Sequence, residues 1–362
     1  MRDNQLPTAF PFDHLPKPEY IPPAALGPRL VLGVSSMKDH MTDEGWQLTH
    51  GLALNGYIHC GYGLPEPLTD VARLLDKYNP SVVVVQDKRE WGSKHDFRDP
   101  LAEFKNVHLL RDRPDIFKVT VIKDAQQRPH WHRESSEEIG CNAWIHYYHR
   151  DIVMNLQPYI RPLHMIRTWH TVNPEHVPFN WPAERSGTLL SGAISNAYPF
   201  RQKLSKAGLP IVQLRHPGYH RKGCATPGYL KLLTEYKVAI CTSSRFGYAL
   251  RKIVEATAAG CIVVTDLPIE DKLPFGIDGN LVRVHPNISM SDFRQLLVDL
   301  EGSWNEETQR QHAENAIWGF DYRRVTSILA QMIEVHRLAQ SVPEFDFRKI
   351  RSAVTDVVKE FT

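Results

Sequence analysis

The residues best suited to chemistry lie in one segment, 243–266, which reads SSRFGYALRKIVEATAAGCIVVTD. A polar loop that contains Ser244 precedes a predicted helix, and a β-branched strand follows it. The free N–H groups and the dipole at a helix N-terminus favour an anion such as a diphosphate. A carboxylate within the helix, such as Glu255, can accept both hydroxyls of a ribose. Three cationic side chains would add charge at this point: Arg245, Arg251 and Lys252.

Two further polar segments follow strand-like runs in the same half of the chain. In the first, SGAISNAYPFR, Gly192 allows a close approach of the backbone and Arg201 can reach a phosphate. The second, HPGY, brings His216 and Tyr219 directly after the next strand. Because ligands of open α/β sheets bind at the carboxyl ends of the strands, these segments are predicted to meet at one site.

In their residues and in their order along the chain, these segments resemble the donor-binding half of a GT-B glycosyltransferase. The type is family-4-like or spore-coat-protein glycosyltransferase-like. Members of that family hold a nucleotide sugar with an E-A-x-A-x-G-x-x-V-x-x-D segment, which residues 255–266 match. The resemblance covers about residues 185–340, and it extends to the first half through architecture alone. It implies these donor-binding residues: Gly192, Arg201, His216, Tyr219, Ser244, Arg245, Arg251, Lys252 and Glu255.

One departure from the family pattern concerns the stereochemistry of the reaction. Retaining members often carry a second acid eight positions before the glutamate, and Gly247 stands at that position here. The sugar-contacting acid is therefore missing or supplied from elsewhere in the chain. The resemblance leaves open whether the anomeric configuration would be retained or inverted.

Transfer of a sugar from such a donor makes two demands on the protein. The leaving diphosphate must be neutralised, and in an inverting enzyme a base must deprotonate the acceptor hydroxyl. The base should project from the first half of the chain, where two loops follow predicted strands. The candidates are Asp39 and His40 in the first loop, and Asp87, His95 and Asp96 in the second. Asp87 is preferred because it ends the most clearly predicted strand, and a retaining mechanism would need none of them.

The elements that would position these residues follow a βα alternation. In the first half, strands are predicted at 29–36, 57–61, 81–87, 107–110, 117–123, 143–148 and 163–168, with helices at 43–55 and 68–78. In the second half, strands are predicted at 187–194, 211–215, 238–242, 261–265 and 280–285. Helices there are predicted at 199–207, 227–236 and 248–259, from 291, over 305–340 and within 347–361. Ser289 and Asp292 are spaced as a capping pair for the helix from 291.

The predicted fold class is α/β, with two Rossmann-like domains that face each other across a cleft (GT-B). Seven prolines within residues 1–28 predict an extended arm before the first domain. The predicted units are an arm at 1–28, an acceptor domain at 29–172, a linker at 173–184, a donor domain at 185–318 and C-terminal helices at 319–362.

Composition excludes several classes of protein. Of 362 residues, 42% are hydrophobic and 23% charged, and the net charge is only +2, so a disordered chain and non-specific nucleic-acid binding are not expected. No apolar run is long enough to span a bilayer, and the N-terminus lacks the apolar core of a signal peptide. Five cysteines without a CxxC pair indicate a reducing cytoplasm. Two histidine pairs, His130/His132 and His146/His149, lack a ligand partner at a familiar spacing, so no metal site is predicted.

The predicted function is therefore that of a cytoplasmic, metal-independent glycosyltransferase. Its preferred donor, a UDP-sugar, is a substrate and not a cofactor. Its acceptor hydroxyl could belong to a glycan, a small metabolite or a hydroxymethylated DNA base. A non-catalytic protein that binds a nucleotide sugar, and a nucleotide-sugar epimerase of the same fold, are the alternatives. An NAD-dependent oxidoreductase is disfavoured because no G-x-G-x-x-G follows a strand.

Overall fold

Two parallel β-sheets, one in each half of the chain, organise the structure. The computed structural model describes residues 27–33, 42–86, 104–126, 129–160, 165–214 and 224–341. The sheets have six and five strands. The α/β class predicted from the sequence, with two Rossmann-like domains, is therefore confirmed, while the exact domain bounds stay a prediction.

The first sheet has the strand order β2-β1-β3-β4-β5-β6, and all neighbouring strands are parallel. Its strands are β1 (Arg29–Leu32), β2 (Ile58–Cys60), β3 (Val82–Val85), β4 (Phe117–Ile122), β5 (Ala143–His146) and β6 (Met165–Arg167). The helices of this half are α1 (Glu44–Leu54), α2 (Val71–Tyr78), α3 (Pro129–Ile139) and α4 (Arg150–Leu156). All residues of β1, β3, β4 and β5 are buried, as parallel strands covered on both faces require.

The second sheet has the order β11-β10-β9-β7-β8 and is also parallel throughout. Its strands are β7 (Thr188–Ser191), β8 (Val212–Leu214), β9 (Val238–Ile240), β10 (Ile262–Thr265) and β11 (Leu281–Arg283). The helices are α5 (Pro199–Ser205), α6 (Thr226–Leu233), α7 (Arg251–Ala258), α8 (Met290–Ser303), α9 (Glu306–Phe320) and α10 (Tyr322–Ser341). Ser289 Oγ accepts from the N–H of Asp292, which confirms the predicted cap of α8.

One predicted element was wrong, two helices of the first half were not predicted, and the stretch predicted as helical over 305–340 is two helices that break at Asp321. The segment Val107–Leu110, predicted as a strand, forms a 3-10 helix, because Asn106 before it has a left-handed backbone with φ of 60° and turns the chain. Its apolar residues pack against the core from outside the sheet. The helices α3 and α4 were not predicted, because their mixed polar sequences lack a clear helical period. The predicted tail helix within 347–361 and most of the N-terminal arm lie outside the described residues.

The last helix returns to the first half of the chain. After α9, the chain at Asp321 forms a bridge with Val172, and α10 then packs along α1. The close approach depends on Gly51, whose missing Cβ would lie only 2.3 Å from Oγ1 of Thr326 and 2.8 Å from its Cβ. Among the described residues, no helix is long and apolar enough to cross a membrane.

Replacing Gly51 with alanine is expected to destabilise the protein by about 1–3 kcal/mol, because the added methyl group must push α10 away from α1. Urea denaturation measures the change in the free energy of unfolding. Gly302 is a matched control, since it lies in α8 with nothing within 4 Å of its would-be Cβ. Gly302→Ala should be neutral or should gain up to about 1 kcal/mol. Equal effects of the two substitutions would contradict this account of the helix contact.

Candidate active site

The predicted glycine-arginine pair does meet at the end of β7. Gly192 follows this strand with a backbone φ of 123°, a conformation that side chains rarely adopt. A Cβ on Gly192 would lie 2.3 Å from Nη1 of Arg201, which projects from α5. A glycine is therefore required at this position, because the Arg201 guanidinium lies where a side chain would begin.

Arg201 is almost completely buried, with 1% of its surface exposed. Its Nε donates to Thr242 Oγ1 at 3.1 Å, its Nη1 donates to the carbonyl of Ala193 at 3.2 Å, and the guanidinium lies over the Tyr198 ring. Its Nη2 is buried and has no hydrogen-bond partner among the described residues. Burial lowers the pKa of Arg201, because it disfavours the charged guanidinium, and more distant groups such as Asp266 oppose this only in part.

A second buried cation, Lys252, lies in the first turn of α7. Its Nζ donates to Ser191 Oγ at 3.1 Å and lies 4.7 Å from the centre of the Tyr229 ring. Burial, followed by the charge of Arg201, lowers the pKa of Lys252 to about 7, against the opposing charge of Glu255. Within the described part of the chain, neither Lys252 nor Arg201 has a carboxylate at ion-pair distance. Two desolvated cations at one strand end form an arrangement suited to an anion with two charges.

An open cavity of about 670 Å³ lies at the start of α5 and the carboxyl ends of β9, β10 and β11, and neither Arg201 nor Lys252 is among its lining residues. The predicted residues Ser244 and Arg245 line it, together with Asp266. Asp266 Oδ1 accepts from the N–H of Ser243 at 2.5 Å and so fixes the loop. Arg283 donates to the carbonyls of Leu267 and Pro268 and fixes the opposite wall. The cavity is of the size that small-molecule ligands occupy.

The predicted ribose ligand, Glu255, does not line this cavity. It is only 3% exposed, and its Oε1 lies 3.2 Å from Nε of Arg251. Burial raises the pKa of Glu255, and the charges of Arg251 and Lys252 oppose the rise. Glu255 therefore lies behind the helix start as part of a charge network, and its predicted contact with a ribose stays a prediction.

Arg251 points across the cleft to the first domain. Its Nη2 lies 2.8 Å from Oδ1 of Asp43, the residue before α1, and its Nε donates to the carbonyl of Thr171. Asp43 also accepts from Thr226 Oγ1, and its Oδ2 lies 3.3 Å from His176 Nδ1. Burial alone would raise the pKa of Asp43, but His176 and Arg251 outweigh it and hold that pKa well below its usual range. Arg251 is thus an interdomain residue, a role that the sequence analysis missed.

The first domain contains a largely buried polar cluster at the ends of β4 and β6. Glu44, the first residue of α1, contacts His170 and lies 3.8 Å from Nζ of Lys123. Nearby, the rings of Tyr148 and Tyr248 stack across the cleft with centroids 3.8 Å apart. Glu44, Lys123 and His170 were not predicted, although Lys123 ends a predicted strand and His170 lies shortly after another.

Several predicted residues lie outside the described part of the chain: Asp39, His40, Asp87, His95, Asp96, His216 and Tyr219. Their predicted roles remain untested predictions, as do those of the described donor-site residues. No group of three potential metal ligands occurs among the described residues. His146 is buried, its Nδ1 lies 2.8 Å from the carbonyl of Tyr148, and burial lowers its pKa to about 3.

The Glu44 carboxylate should contribute to stability in a pH-dependent way. Burial would raise its pKa, but the charges of His170 and Lys123 lower the value from 4.5 to about 2. The ionised group therefore stabilises the fold above about pH 4.5, and this contribution is lost as the pH falls towards 2.

Glu44→Gln should be less stable than the wild type at pH 7, and the difference should shrink as the pH falls from 4.5 to about 2. Urea denaturation at a series of pH values measures this difference in the free energy of unfolding. Glu307→Gln, on the exposed face of α9, is the control and should give a small difference at every pH. A difference for Glu44→Gln that stays constant over this range would contradict the assigned ion pairs.

No protein-family model matches this sequence, and no curated protein matches it. Among solved structures, the sucrose-phosphate synthase of Thermosynechococcus elongatus has a TM-score of 0.54 and 11% identity, over 85% of this chain and 98% of that chain. HepE of Anabaena, solved with UDP and glucose, has a TM-score of 0.53 and 10% identity, over 85% and 99%. A UDP-N-acetylglucosamine 2-epimerase has a TM-score of 0.43 and 9% identity, over 85% and 96%, which is too low to carry an argument. With its two parallel sheets and the cleft between them, the chain has the GT-B fold of the glycosyltransferases among these structures.

Proposed function

We propose that this protein is a metal-independent glycosyltransferase that moves a sugar from a nucleoside-diphosphate sugar to a hydroxyl acceptor. The observation that carries the proposal is the buried pair of cations, Arg201 and Lys252, which lack a carboxylate partner among the described residues. An isolated buried charge is costly, so such a pair is best explained by a ligand that supplies the missing negative charge. A diphosphate supplies two negative charges.

The donor would lie along the carboxyl ends of the second sheet. Its nucleoside would occupy the cavity between α5 and the ends of β9 to β11. Its diphosphate would replace the missing counter-charge at Arg201 Nη2 and Lys252 Nζ, and these cations would stabilise the leaving group as the glycosidic bond breaks. A UDP-sugar is the preferred donor, since the solved HepE structure, of similar fold, contains UDP and glucose.

The acceptor remains one of three hydroxyl classes: a glycan, a small metabolite or a hydroxymethylated DNA base. The proposed compartment is the cytoplasm, which agrees with five unpaired cysteines.

A second candidate function is binding of a nucleotide sugar without transfer. The observation in its favour is the engagement of Glu255 by Arg251, which leaves the carboxylate buried and away from the cavity. Release of the nucleoside diphosphate by hydrolysis of the donor separates the two functions, because a binding protein would leave the donor intact.

A thermal-shift screen against UDP, GDP, ADP, CMP, dTDP and their common sugars tests the donor site. A ligand at about a hundred times its Kd should add about 2.7 kcal/mol to the stability of the wild type. Lys252→Met should lose this stabilisation, because the diphosphate then lacks one of its two cations. Lys231→Met, at an exposed position of α6, is the control and should keep it. An equal shift in Lys252→Met and the wild type would contradict the assigned phosphate contact.

Donor affinity should also depend on pH. Lys252, with a pKa of about 7 in the free protein, must be protonated to bind the diphosphate. The bound diphosphate raises that pKa, so Kd should increase by up to about tenfold per pH unit above pH 7. Calorimetric titration with the nucleotide sugar is the measurement, since its diphosphate, unlike that of a free nucleotide, has no group that titrates near neutrality. Lys252→Arg should remove the dependence, and a pH dependence that persists in this variant would exclude Lys252 as its source.

A further inference from the structure

Lys252, the buried lysine at the start of α7, is held by an aromatic ring and a hydroxyl. Its Nζ lies 4.7 Å from the centre of the Tyr229 ring and donates to Oγ of Ser191 at 3.1 Å. The same tyrosine also contacts this hydroxyl, because its own oxygen lies 2.5 Å from Oγ of Ser191. Tyr229 and Ser191 are only 2% and 3% exposed, so both contacts of the lysine are shielded from water.

Arg201, the second buried cation, is held by the same two kinds of partner. Its guanidinium carbon lies 4.2 Å from the centre of the Tyr198 ring, and its Nε donates to Oγ1 of Thr242 at 3.1 Å. Tyr198 is the residue before α5, and Arg201 lies in the first turn of this helix. Each cation of the pair therefore contacts one tyrosine face and one serine or threonine hydroxyl.

A ring face and a carboxylate hold a cation in different ways. The negative face of an aromatic ring attracts a cation, and the attraction is larger where water is excluded. The ring carries no net charge, so the full positive charge stays available to a ligand. A carboxylate would neutralise the cation, and a diphosphate would have to displace it before it could bind. Uncharged partners therefore fix a buried cation in place without competing for the anion.

We propose that Tyr198 and Tyr229 are positioning residues of the donor site, whose ring faces hold the Arg201 and Lys252 cations in place for the diphosphate. This inference rests on the proposed function. The rings take the position that a competing carboxylate would otherwise occupy. They offset part of the cost of burying each charge, and the diphosphate offsets the rest when it binds.

The ring at Lys252 can be tested through pH, because this cation titrates near neutrality, with a pKa of about 7. Arg201 on α5 opposes the charge of Lys252, and the charge of Glu255 on α7 favours it. Cys241 after β9 and Tyr229 on α6 stay neutral, since burial raises the pKa of both groups. Loss of the Tyr229 ring face should therefore lower the pKa of Lys252 further, and the pH dependence of donor binding reports that pKa.

The first test compares two aromatic residues of nearly equal shape at position 229. Calorimetric titration at a series of pH values gives the midpoint above which Kd rises, near pH 7 in the wild type. The ligand is the nucleotide sugar with the largest shift in the thermal screen, with UDP-glucose as the first choice. Tyr229→Phe keeps the ring face and should keep the midpoint.

Pentafluorophenylalanine at position 229 has a ring whose charge distribution is reversed. The midpoint should therefore fall by about one pH unit, and Kd at about pH 8 should be about tenfold higher than in Tyr229→Phe. Pentafluorophenylalanine in place of Phe293, a fully buried ring of α8, is the control and should leave the midpoint at its wild-type value. Equal midpoints in the two variants at position 229 would overturn the role of the Tyr229 ring.

The second test concerns the ring at Arg201. Tyr198→Leu should weaken binding by about 2–10-fold at every pH, because the guanidinium loses the partner that fixes its plane and must be ordered on binding. The midpoint should not move, since a guanidinium does not titrate in this range. Tyr198→Phe should keep the wild-type Kd. A moved midpoint in Tyr198→Leu, or a Kd equal to that of the wild type, would contradict the role of Tyr198.

The results separate this inference from the proposal on which it rests. Wild-type protein that binds none of the nucleotide sugars, or binds them with a Kd independent of pH, contradicts the proposed diphosphate contact of Lys252 itself. Wild-type protein with the expected pH dependence, together with equal midpoints in the two variants at position 229, contradicts the role of the Tyr229 ring alone. Urea denaturation shows beforehand that each variant is folded.

Discussion

The buried ion pair between Asp43 and Arg251 is the contact on which the arrangement of the cleft depends. It joins the start of α1 to the start of α7, so it sets how the carboxyl ends of the two sheets face each other. Breaking a buried pair by removing one partner typically costs about 3–5 kcal/mol, since the remaining charge is left in a medium of low polarity. The Thr226 hydroxyl also donates to Asp43, and the Thr171 carbonyl accepts from Nε of Arg251. The geometry of the cleft is therefore fixed by charge as well as by packing.

The charged groups around this pair fall into two kinds. On the first-domain side, Glu44 contacts His170 and lies 3.8 Å from the cationic Nζ of Lys123, so its charge is compensated within the protein. On the donor side, Arg201 and Lys252 are buried without a carboxylate at ion-pair distance among the described residues. The proposed diphosphate would supply the missing counter-charge on the donor side.

Much of the fold could be predicted because it depends on local sequence. The run Val82–Val85 could only be a buried strand, and the small residues before Gly260 could only be a helix packed on a sheet. The site was less predictable, because its key contacts join distant residues. Asp43 and Arg251 are 208 positions apart, and Glu44 and His170 are 126 apart. No local pattern indicates that Arg251 faces an aspartate instead of a phosphate, or that Glu255 is enclosed behind it.

The return of α10 to the first domain has a mechanical consequence. The chain passes between the domains twice, and the two passages are bonded to each other, since Val172 donates to the carbonyl of Phe320 and accepts from the N–H of Tyr322. Two chain crossings that are hydrogen-bonded to each other at one point act as a single interdomain hinge. A relative rotation of the domains would then pivot near this point, where sliding or shear would have to break the two hydrogen bonds. Any opening that admits substrates should therefore be a swing about Val172, widest at the rim farthest from it.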